Sequence, residues 1–235
     1  MKVFFLVFYN FFENFIHLKR IRKFLKNSIF LKRPIIFDVG AHQGKMSKLF
    51  NQIYFGARIF CFEPNTLFHN KLKKIGKNTA VYNYAIGKKV EKKNLYLSNI
   101  DLTSTLSKVD QKSLYLKFKK YILGKSKLSL SKKVSVMTLN QFCKNKKIKK
   151  IDLLKIDVEG YEHMVLLGSS KIIKNVSYIM IEIQKNDMYL DYSRKKIEKF
   201  LRKNNFKLIK KFNFPFMFFQ DCIYKNTNLR FKINN

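Results

Sequence analysis

Short apolar runs, separated by glycine turns and lysine-rich stretches, recur along the chain. The first central run, Ile35–Val39, ends in the turn Gly40–Gly44, and residues 46–50 then resume with a composition that suits a helix. An apolar run of this length between turn residues is typical of a buried parallel strand. The pattern therefore predicts a strand, a glycine turn and a helix, the first unit of a doubly wound sheet.

The same alternation continues towards the carboxyl terminus. Further strands are expected at 58–62, 80–86, 95–97, 134–137 (as an edge strand), 152–158 and 177–183, with 206–212 and 216–224 as an antiparallel hairpin. Helices are expected at 67–75, 138–146, 163–173 and 194–203, and the basic stretch 108–133 as a peripheral insertion or lid. Strands that alternate with helices favour an α/β fold with a mostly parallel sheet.

Acidic residues fall where these apolar runs end. Of only 15 acidic residues, five lie at the carboxyl ends of predicted strands: Asp38, Glu63, Asp157, Glu159 and Glu182. In an open parallel sheet these ends line the ligand crevice. A crevice lined by carboxylates indicates a ligand with cationic character.

The spacing of the first two acids narrows the ligand further. Glu63 follows the second strand and lies 25 residues after Asp38, where an acid can accept hydrogen bonds from both hydroxyls of a ribose. The first turn lacks the Gly-x-Gly-x-x-Gly pattern, and Asp38 would repel a pyrophosphate, so NAD fits less well. S-adenosylmethionine fits because it has a ribose, an ammonium group and a sulfonium but no phosphate.

Four segments resemble the FkbM family of S-adenosylmethionine-dependent methyltransferases. They are Asp38–Gly44, Glu63–Asn65, Thr103–Leu106 and, most specifically, Leu154–Glu162 with its Asp-Val-Glu-Gly-Tyr-Glu run. The resemblance covers residues 35–225, and His42 departs from the asparagine that is common in the family. It implies a Rossmann-like class I methyltransferase fold with seven strands. It also implies O-methylation of a sugar, a glycolipid or polysaccharide intermediate, or a secondary metabolite.

The expected site combines the glycine turn with the acidic turns. The predicted cofactor-binding residues are Asp38, Gly40, Ala41, His42, Gly44, Glu63, Pro64, Asn65 and Asp157. Asp157 or Glu159 is expected to be the catalytic base, because a carboxylate in a partly desolvated cleft can have a raised pKa. The alternative is that they only orient the cofactor or satisfy backbone N–H groups. A further interpretation places a divalent cation on Asp157, Glu159 and Glu182, where it would lower the pKa of the acceptor hydroxyl.

Three neighbours of this turn have simpler structural interpretations. Glu162 can stabilise the positive start of a helix, Tyr161 is expected to be a packing aromatic, and His163 a polar residue at the helix start.

The amino-terminal segment joins an aromatic run to a basic amphipathic stretch. Residues 1–12 are rich in Phe, Leu and Val, and residues 17–26 are rich in Lys and Arg. The apolar run is too short to span a bilayer as a helix. We predict a helical extension over 1–33, before a methyltransferase domain over 34–235. The extension is expected either to pack on the domain or to contact an anionic membrane through residues 1–30.

The net charge of +34 leaves the partner open. It is large enough to attract nucleic acid or anionic lipid. Lys, Asn, Ile and Phe dominate the whole chain, so compositional drift is a competing explanation, although drift does not explain why acids are scarce. A small-molecule or glycan acceptor is the first expectation. An RNA methyltransferase and a non-catalytic basic protein at a membrane surface are the alternatives.

The cysteine content bears on the cell compartment. Three cysteines without Cys-x-x-Cys spacing indicate neither a disulfide framework nor a zinc site. This composition agrees with a cytoplasmic protein, with the inner face of the membrane as a second location.

Overall fold

The structure is a computed structural model that describes residues 12–98, 104–123, 128–214 and 218–229. The strands in these ranges are β1 (Ile35–Val39), β2 (Arg58–Phe62), β3 (Thr79–Tyr82), β4 (Ala85–Ile86), β5 (Glu91–Ser98), β6 (Ser104–Thr105), β7 (Leu128–Met137), β8 (Ile151–Ile156), β9 (Val176–Gln184), β10 (Phe206–Asn213) and β11 (Phe219–Asn226). The helices are α1 (Leu18–Ser28), α2 (Lys45–Ile53), α3 (His69–Lys73), α4 (Leu114–Leu123), α5 (Leu139–Asn145), α6 (Glu162–Leu167) and α7 (Arg194–Lys203). A π-helical turn, Phe12–His17, leads into α1, and 3₁₀ turns lie at Thr66–Phe68 and Ile173–Asn175.

The main sheet has seven strands in the order β10-β11-β9-β8-β1-β2-β3. The five strands from β9 to β3 run parallel, while β11 is antiparallel to β9 and β10 is antiparallel to β11. The predicted α/β fold with a carboxyl-terminal antiparallel hairpin is therefore confirmed. Because the parallel strands all end at one edge, the acids that follow them are brought to the same side of the molecule.

A second sheet, in the order β4-β7-β5-β6, was not expected from the sequence. The single strand predicted at 80–86 is wrong, because the chain leaves the main sheet after Tyr82 and β4 pairs with β7 instead. The prediction of an edge strand at 134–137 is also wrong, since β7 pairs with β4 on one side and β5 on the other.

Two predicted helices differ from the structure in length. The helix expected at 163–173 ends at Leu167, because the chain turns at Gly168, where a Cβ would lie 2.0 Å from the carbonyl oxygen of Gly87. The helix expected at 67–75 divides into the turn Thr66–Phe68 and α3. The stretch expected to be an insertion or lid contains α4, whose Leu116 packs with Met188 and Tyr189.

The main sheet has apolar side chains packed on both faces. On one face Phe37 and Leu154 pack with α5, α6 and α7, and on the other Ile36 and Leu153 pack with α1 and α2. β8 is buried along its whole length. A strand covered on both faces has no exposed position for a polar side chain, which makes any charged residue inside it informative.

The amino-terminal helix α1 packs on the domain through Ile21 and Leu25, and Ile29, which follows the helix, is buried with them. Of the two expectations for this segment, packing therefore holds for α1, while residues 1–11 lie outside the described residues. Within the described ranges, no helix is both long and apolar enough to cross a membrane. Cys61, Cys143 and Cys222 are buried, and none of them forms a disulfide with another described residue.

Candidate active site

The glycine turn after β1 is packed backbone to backbone against the turn after β8. Gly40 has φ +80°, and a Cβ there would lie only 1.8 Å from the carbonyl oxygen of Asp157. The N–H of Asp157 donates to the carbonyl of Val39 (3.0 Å), which locks the two turns together. Glycine is needed because no side chain fits and the conformation is left-handed. The structure thus brings together the first and the last of the predicted cofactor turns.

Lys155, inside β8, is a buried cation that forms an ion pair with one acid from each of these two turns. Its Nζ lies 3.2 Å from Asp38 Oδ1 and 3.1 Å from Asp157 Oδ2, and it donates to the carbonyl of Gly40 at 3.1 Å. Burial alone would lower the pKa of Lys155, but the carboxylates of Asp157 and Asp38 outweigh it and raise that pKa above its usual range. Ser47 Oγ donates to Asp38 Oδ2 at 2.5 Å. Asp38 is fully buried.

No site role for Lys155 was predicted from the sequence, although a signal for one was present. A lysine that follows the apolar pair Leu153 and Leu154, in a strand buried on both faces, requires anionic partners. The acids at the ends of β1 and β8 are the partners that a parallel pairing of these strands would supply.

Glu63 joins the glycine turn to the turn after β2. Its Oε2 accepts the N–H of His42 and its Oε1 accepts the N–H of Asn65, both at 2.8 Å. Burial raises the pKa of Glu63 to about 7, although these two hydrogen bonds act in the opposite direction. An ionised carboxylate has about four lone-pair sites, so two remain for a ligand.

The other predicted residues of these turns shape the backbone. His42 has φ +48° and its ring lies edge-on to Phe68, with 4.3 Å between ring centroids. The N–H of Ala41 donates to the carbonyl of Phe62 (3.2 Å). Gly44, with φ +79°, immediately precedes α2. Pro64 is half-buried beside Glu63, and Asn65 accepts the N–H of Leu67, which caps the 3₁₀ turn.

A second group of acids lies where β8 and β9 end, and we call Asp157, Glu159 and Glu182 the carboxylate cluster. One carboxylate oxygen from each lies within 4.8 Å of the others. The Tyr189 hydroxyl donates to Glu159 Oε2 at 2.5 Å. Burial, followed by the nearby charges of Asp157 and Glu159, raises the pKa of Glu182 well above its usual range. The cluster therefore places three carboxyl groups beside Lys155, and Glu182 holds its proton more strongly than an exposed glutamate does.

Asp221 extends this acidic region and is paired with a residue from the amino-terminal segment. It lies opposite Glu182 in the β11–β9 register, and His17 Nε2 is 2.6 Å from its Oδ2. His17 is buried, edge-on to the rings of Phe214 and Phe219. Burial raises the pKa of Asp221, while His17 acts to lower it. The sequence held no indication of this contact, which spans 204 residues.

The turn that carries Glu159 is stabilised from several directions. Glu162 Oε1 accepts the N–H groups of Val158 (3.2 Å) and Gly160 (3.0 Å), and burial raises the pKa of Glu162 to about 8. Thr105 Oγ1 donates to the carbonyl of Glu159 at 2.6 Å. Glu162 thus has the structural role expected of it, since it satisfies backbone N–H groups just before α6.

The site can bind cationic and hydroxylated groups, because Asp38, Glu63, Asp157, Glu159 and Glu182 all contribute carboxyl oxygens to it. The side chain of Asp157 is 33% exposed, which makes it the most accessible of the three carboxylates joined to the cofactor turns. This donor set fits S-adenosylmethionine, whose ribose and ammonium groups are donors.

Comparison with a family model agrees with this geometry. A model described as a methyltransferase FkbM domain matches residues 38–208, which include the end of β1, all of β2 to β9, the carboxylate cluster and Lys155. A 2-O-methyltransferase, NoeI, from Sinorhizobium fredii (strain NBRC 101917 / NGR234) is 24% identical over 161 residues. That alignment takes in 66% of this chain, and the chain spans 65% of the length of that relative.

Solved structures show the same fold at low sequence identity. Magnesium protoporphyrin IX methyltransferase from Synechocystis PCC 6803, crystallised with S-adenosylmethionine, has a TM-score of 0.50 and 11% identity, over 89% of this chain and 78% of its own. A protein of the NADB-Rossmann superfamily from Streptococcus agalactiae has a TM-score of 0.50 and 11% identity, over 92% of this chain and 69% of its own. At these identities the similarity concerns the fold.

Proposed function

The chain belongs to the FkbM family of S-adenosylmethionine-dependent methyltransferases, and on that premise we propose that it methylates a hydroxyl oxygen. The acceptor classes are a sugar, a glycolipid or polysaccharide intermediate, or a secondary metabolite. The observation that carries the proposal is the Lys155 ion pair, which joins the acids of two strand-end turns at the ligand edge of the sheet. The name of the matched relative, a 2-O-methyltransferase, supports oxygen as the acceptor atom.

We assign different tasks to the three acids of the cofactor turns. When bound, S-adenosylmethionine supplies an electrophilic methyl group on a sulfonium. Asp157, the most exposed of the three, attracts the ammonium group of the cofactor. Glu63 offers its remaining lone pairs to the ribose hydroxyls. Asp38 is fully buried, so it is a positioning residue that acts through Lys155 and Ser47.

Glu159 is our candidate for the base that takes the proton of the acceptor hydroxyl. Asp157 is already committed to an ion pair with Lys155 at 3.1 Å. Glu159 instead lies beside Glu182, whose pKa is raised by burial and by neighbouring carboxylates, so Glu182 keeps its own proton and the proton of the acceptor hydroxyl passes to Glu159. Positioning the acceptor in line with the methyl group and excluding water are the other requirements of this reaction.

Calorimetric titration with S-adenosylhomocysteine tests the cofactor assignment. We expect Asp157→Asn to weaken binding by about tenfold, which corresponds to losing one charged contact. Glu198→Gln is the matched control, because this acid lies on α7 and pairs only with Arg194 on the surface among the contacts described. Thermal unfolding of each variant separates lost binding from lost folding. A wild-type protein that fails to bind would refute the methyltransferase function.

A rate measurement tests the base. We expect Glu159→Gln to lower kcat by roughly 10²- to 10⁴-fold, the usual contribution of a general base, with the affinity for S-adenosylhomocysteine unchanged. Equal loss of affinity and rate would assign Glu159 to cofactor binding instead. Activity that is lost on chelation and restored by Mg²⁺ would assign the carboxylate cluster to a divalent cation. An acceptor screen that includes RNA beside glycans decides between the acceptor classes.

A further inference from the structure

A cavity of about 610 Å³ lies against the turn that follows the carboxylate cluster. Its walls come from β5, from residues 106–108, from the start of α6 and from residues 190–196. The lining includes six charged or aromatic side chains: Lys93, Lys108, Tyr161, His163, Asp191 and Lys196. A cavity of this volume is large enough for a ligand of sugar-phosphate size.

The cavity is lined by residues that adjoin, along the chain, Glu159 and the two residues that contact it. Thr105 donates to the carbonyl of Glu159 and Tyr189 donates to its carboxylate. The next residues along the chain, Leu106 and Leu190, both line the cavity. Gly160, which follows Glu159, lines it as well. A molecule in the cavity therefore lies against the turn that carries the proposed base, although Glu159 itself is not among the lining residues.

The charge of the lining is positive, in contrast to the carboxylate cluster nearby. The described lining contains three lysines, Lys93, Lys108 and Lys196, and one acid, Asp191. Lys93 is held in place, since its Nζ donates to the Tyr161 hydroxyl at 3.1 Å and lies 4.5 Å from the centre of that ring. Of its three ammonium donors, the hydrogen bonds given for the described residues use one.

His163, which also lines the cavity, has a pKa that is affected by these positive charges. Burial lowers the pKa of His163, and the charges of Lys196 and Lys88 lower it further. A bound anion would offset these charges and would also accept a hydrogen bond from the ring.

We propose that this cavity binds a phosphoryl group of the methyl acceptor, so that the acceptor is a phosphorylated sugar or a sugar linked to a nucleotide. The inference rests on the proposed function. Lysines bind phosphate as point charges. A phosphoryl group, with a charge of about −1.5 to −2 and three acceptor oxygens, can engage the three lysines of the described lining more fully than a carboxylate can. A phosphoryl group fits the lining better than a carboxylate does.

Surface lysines occur throughout this chain, so the test must separate the cavity from general positive charge. The cavity variant is Lys108→Gln with Lys196→Gln. The matched control is Lys112→Gln with Lys195→Gln, because both are exposed, neither lines the cavity and the net charge falls equally. The probe is pyrophosphate, titrated by calorimetry at fixed ionic strength.

We expect the wild type and the control to bind pyrophosphate within about twofold of each other, and the cavity variant to bind about tenfold more weakly. Equal affinity of the two double variants, or no binding by the wild type, would overturn the inference. Glucose 1-phosphate and uridine diphosphate glucose, each competed against pyrophosphate, then distinguish a sugar phosphate from a nucleotide sugar, with methyl glucoside as the neutral control.

Titration with S-adenosylhomocysteine on the same samples keeps the two proposals apart. Binding of S-adenosylhomocysteine without cavity-dependent binding of pyrophosphate leaves the proposed function standing and overturns only this inference. Failure of S-adenosylhomocysteine to bind refutes the proposed function, and the assignment of the cavity to a methyl acceptor falls with it.

Discussion

Removing the buried cation Lys155 is expected to destabilise the protein more than any surface substitution. Lys155→Met keeps most of the apolar stem but removes the ammonium from between Asp38 and Asp157. Breaking a buried ion pair from one side leaves an uncompensated buried charge, here Asp38, which is fully enclosed. The carbonyl of Gly40 loses its donor as well.

The magnitude follows from the distances. At 3.1 and 3.2 Å, each attraction amounts to about 5 kcal/mol with an effective dielectric constant of about 20. Rehydration of the lysine in the unfolded chain offsets several kcal/mol, and the 33% exposure of Asp157 screens its share. A net loss of about 3–5 kcal/mol is expected. The raised pKa of Lys155 keeps this contribution fully present below the ordinary lysine pKa of about 10, so pH 6 and pH 8 should agree.

Urea unfolding provides the assay, and a second lysine provides the control. Lys150 pairs with Asp152 at 2.9 Å, but the Lys150 side chain is 66% exposed, so Lys150→Met should cost below about 1 kcal/mol. Adding Asp38→Asn to Lys155→Met should recover about 1 kcal/mol or more, because the stranded charge is then removed. Losses of similar size in the two single lysine variants would refute this account of the site.

Three further substitutions have expected outcomes. Gly40→Ala should weaken S-adenosylhomocysteine binding by calorimetry, because its Cβ would lie 1.8 Å from a carbonyl oxygen, whereas Gly56→Ala, at φ +71°, meets only a flexible side chain. In Glu162 the pKa rises from 4.5 to about 8 on folding, so the wild type loses stability as pH rises through that range. Glu162→Gln should therefore gain stability relative to the wild type between about pH 5 and pH 8 in urea unfolding. His17→Ala should lower thermal stability by about 1–3 kcal/mol, because Asp221 would keep its burial without its partner.

The parts of the fold that follow from local pattern were predictable. The helix expected at 194–203 matches α7, because Ser193 accepts the N–H of Lys196 as a cap and apolar residues recur with helical spacing. The second sheet was not predictable in this way. β4 has only two residues, and its pairing with β7 depends on a segment some 50 residues later in the chain. Pattern within a window carries no information about that partner.

The residues of the site also divide into those that local pattern could predict and those that depend on distant contacts. Asp38, Glu63 and Asp157 could be located because parallel strands end at one edge, and the structure joins all three turns there. The pairing of His17 with Asp221 could not be, because it depends on how α1 docks beside β11. The role of Lys155 was not predicted, but the sequence contained a signal for it. A lysine in a buried strand requires acidic partners, and acids lie at the ends of the neighbouring predicted strands.

The charges of the described residues are sorted by sign around one turn, and this sorting bears on whether the lysine content is drift alone. On one side of Gly160 lie Asp157, Glu159 and Glu182, three of the 15 acids of a chain with 49 basic residues. On the other, the cavity lining has three lysines and one acid. Drift in composition acts on every segment alike. Among the strand-end acids, however, Lys155 is neutralised by Asp38 and Asp157, whereas in the cavity the lysines outnumber the acid. A cationic cofactor and an anionic acceptor that meet at Glu159 would require the opposite signs in these two places.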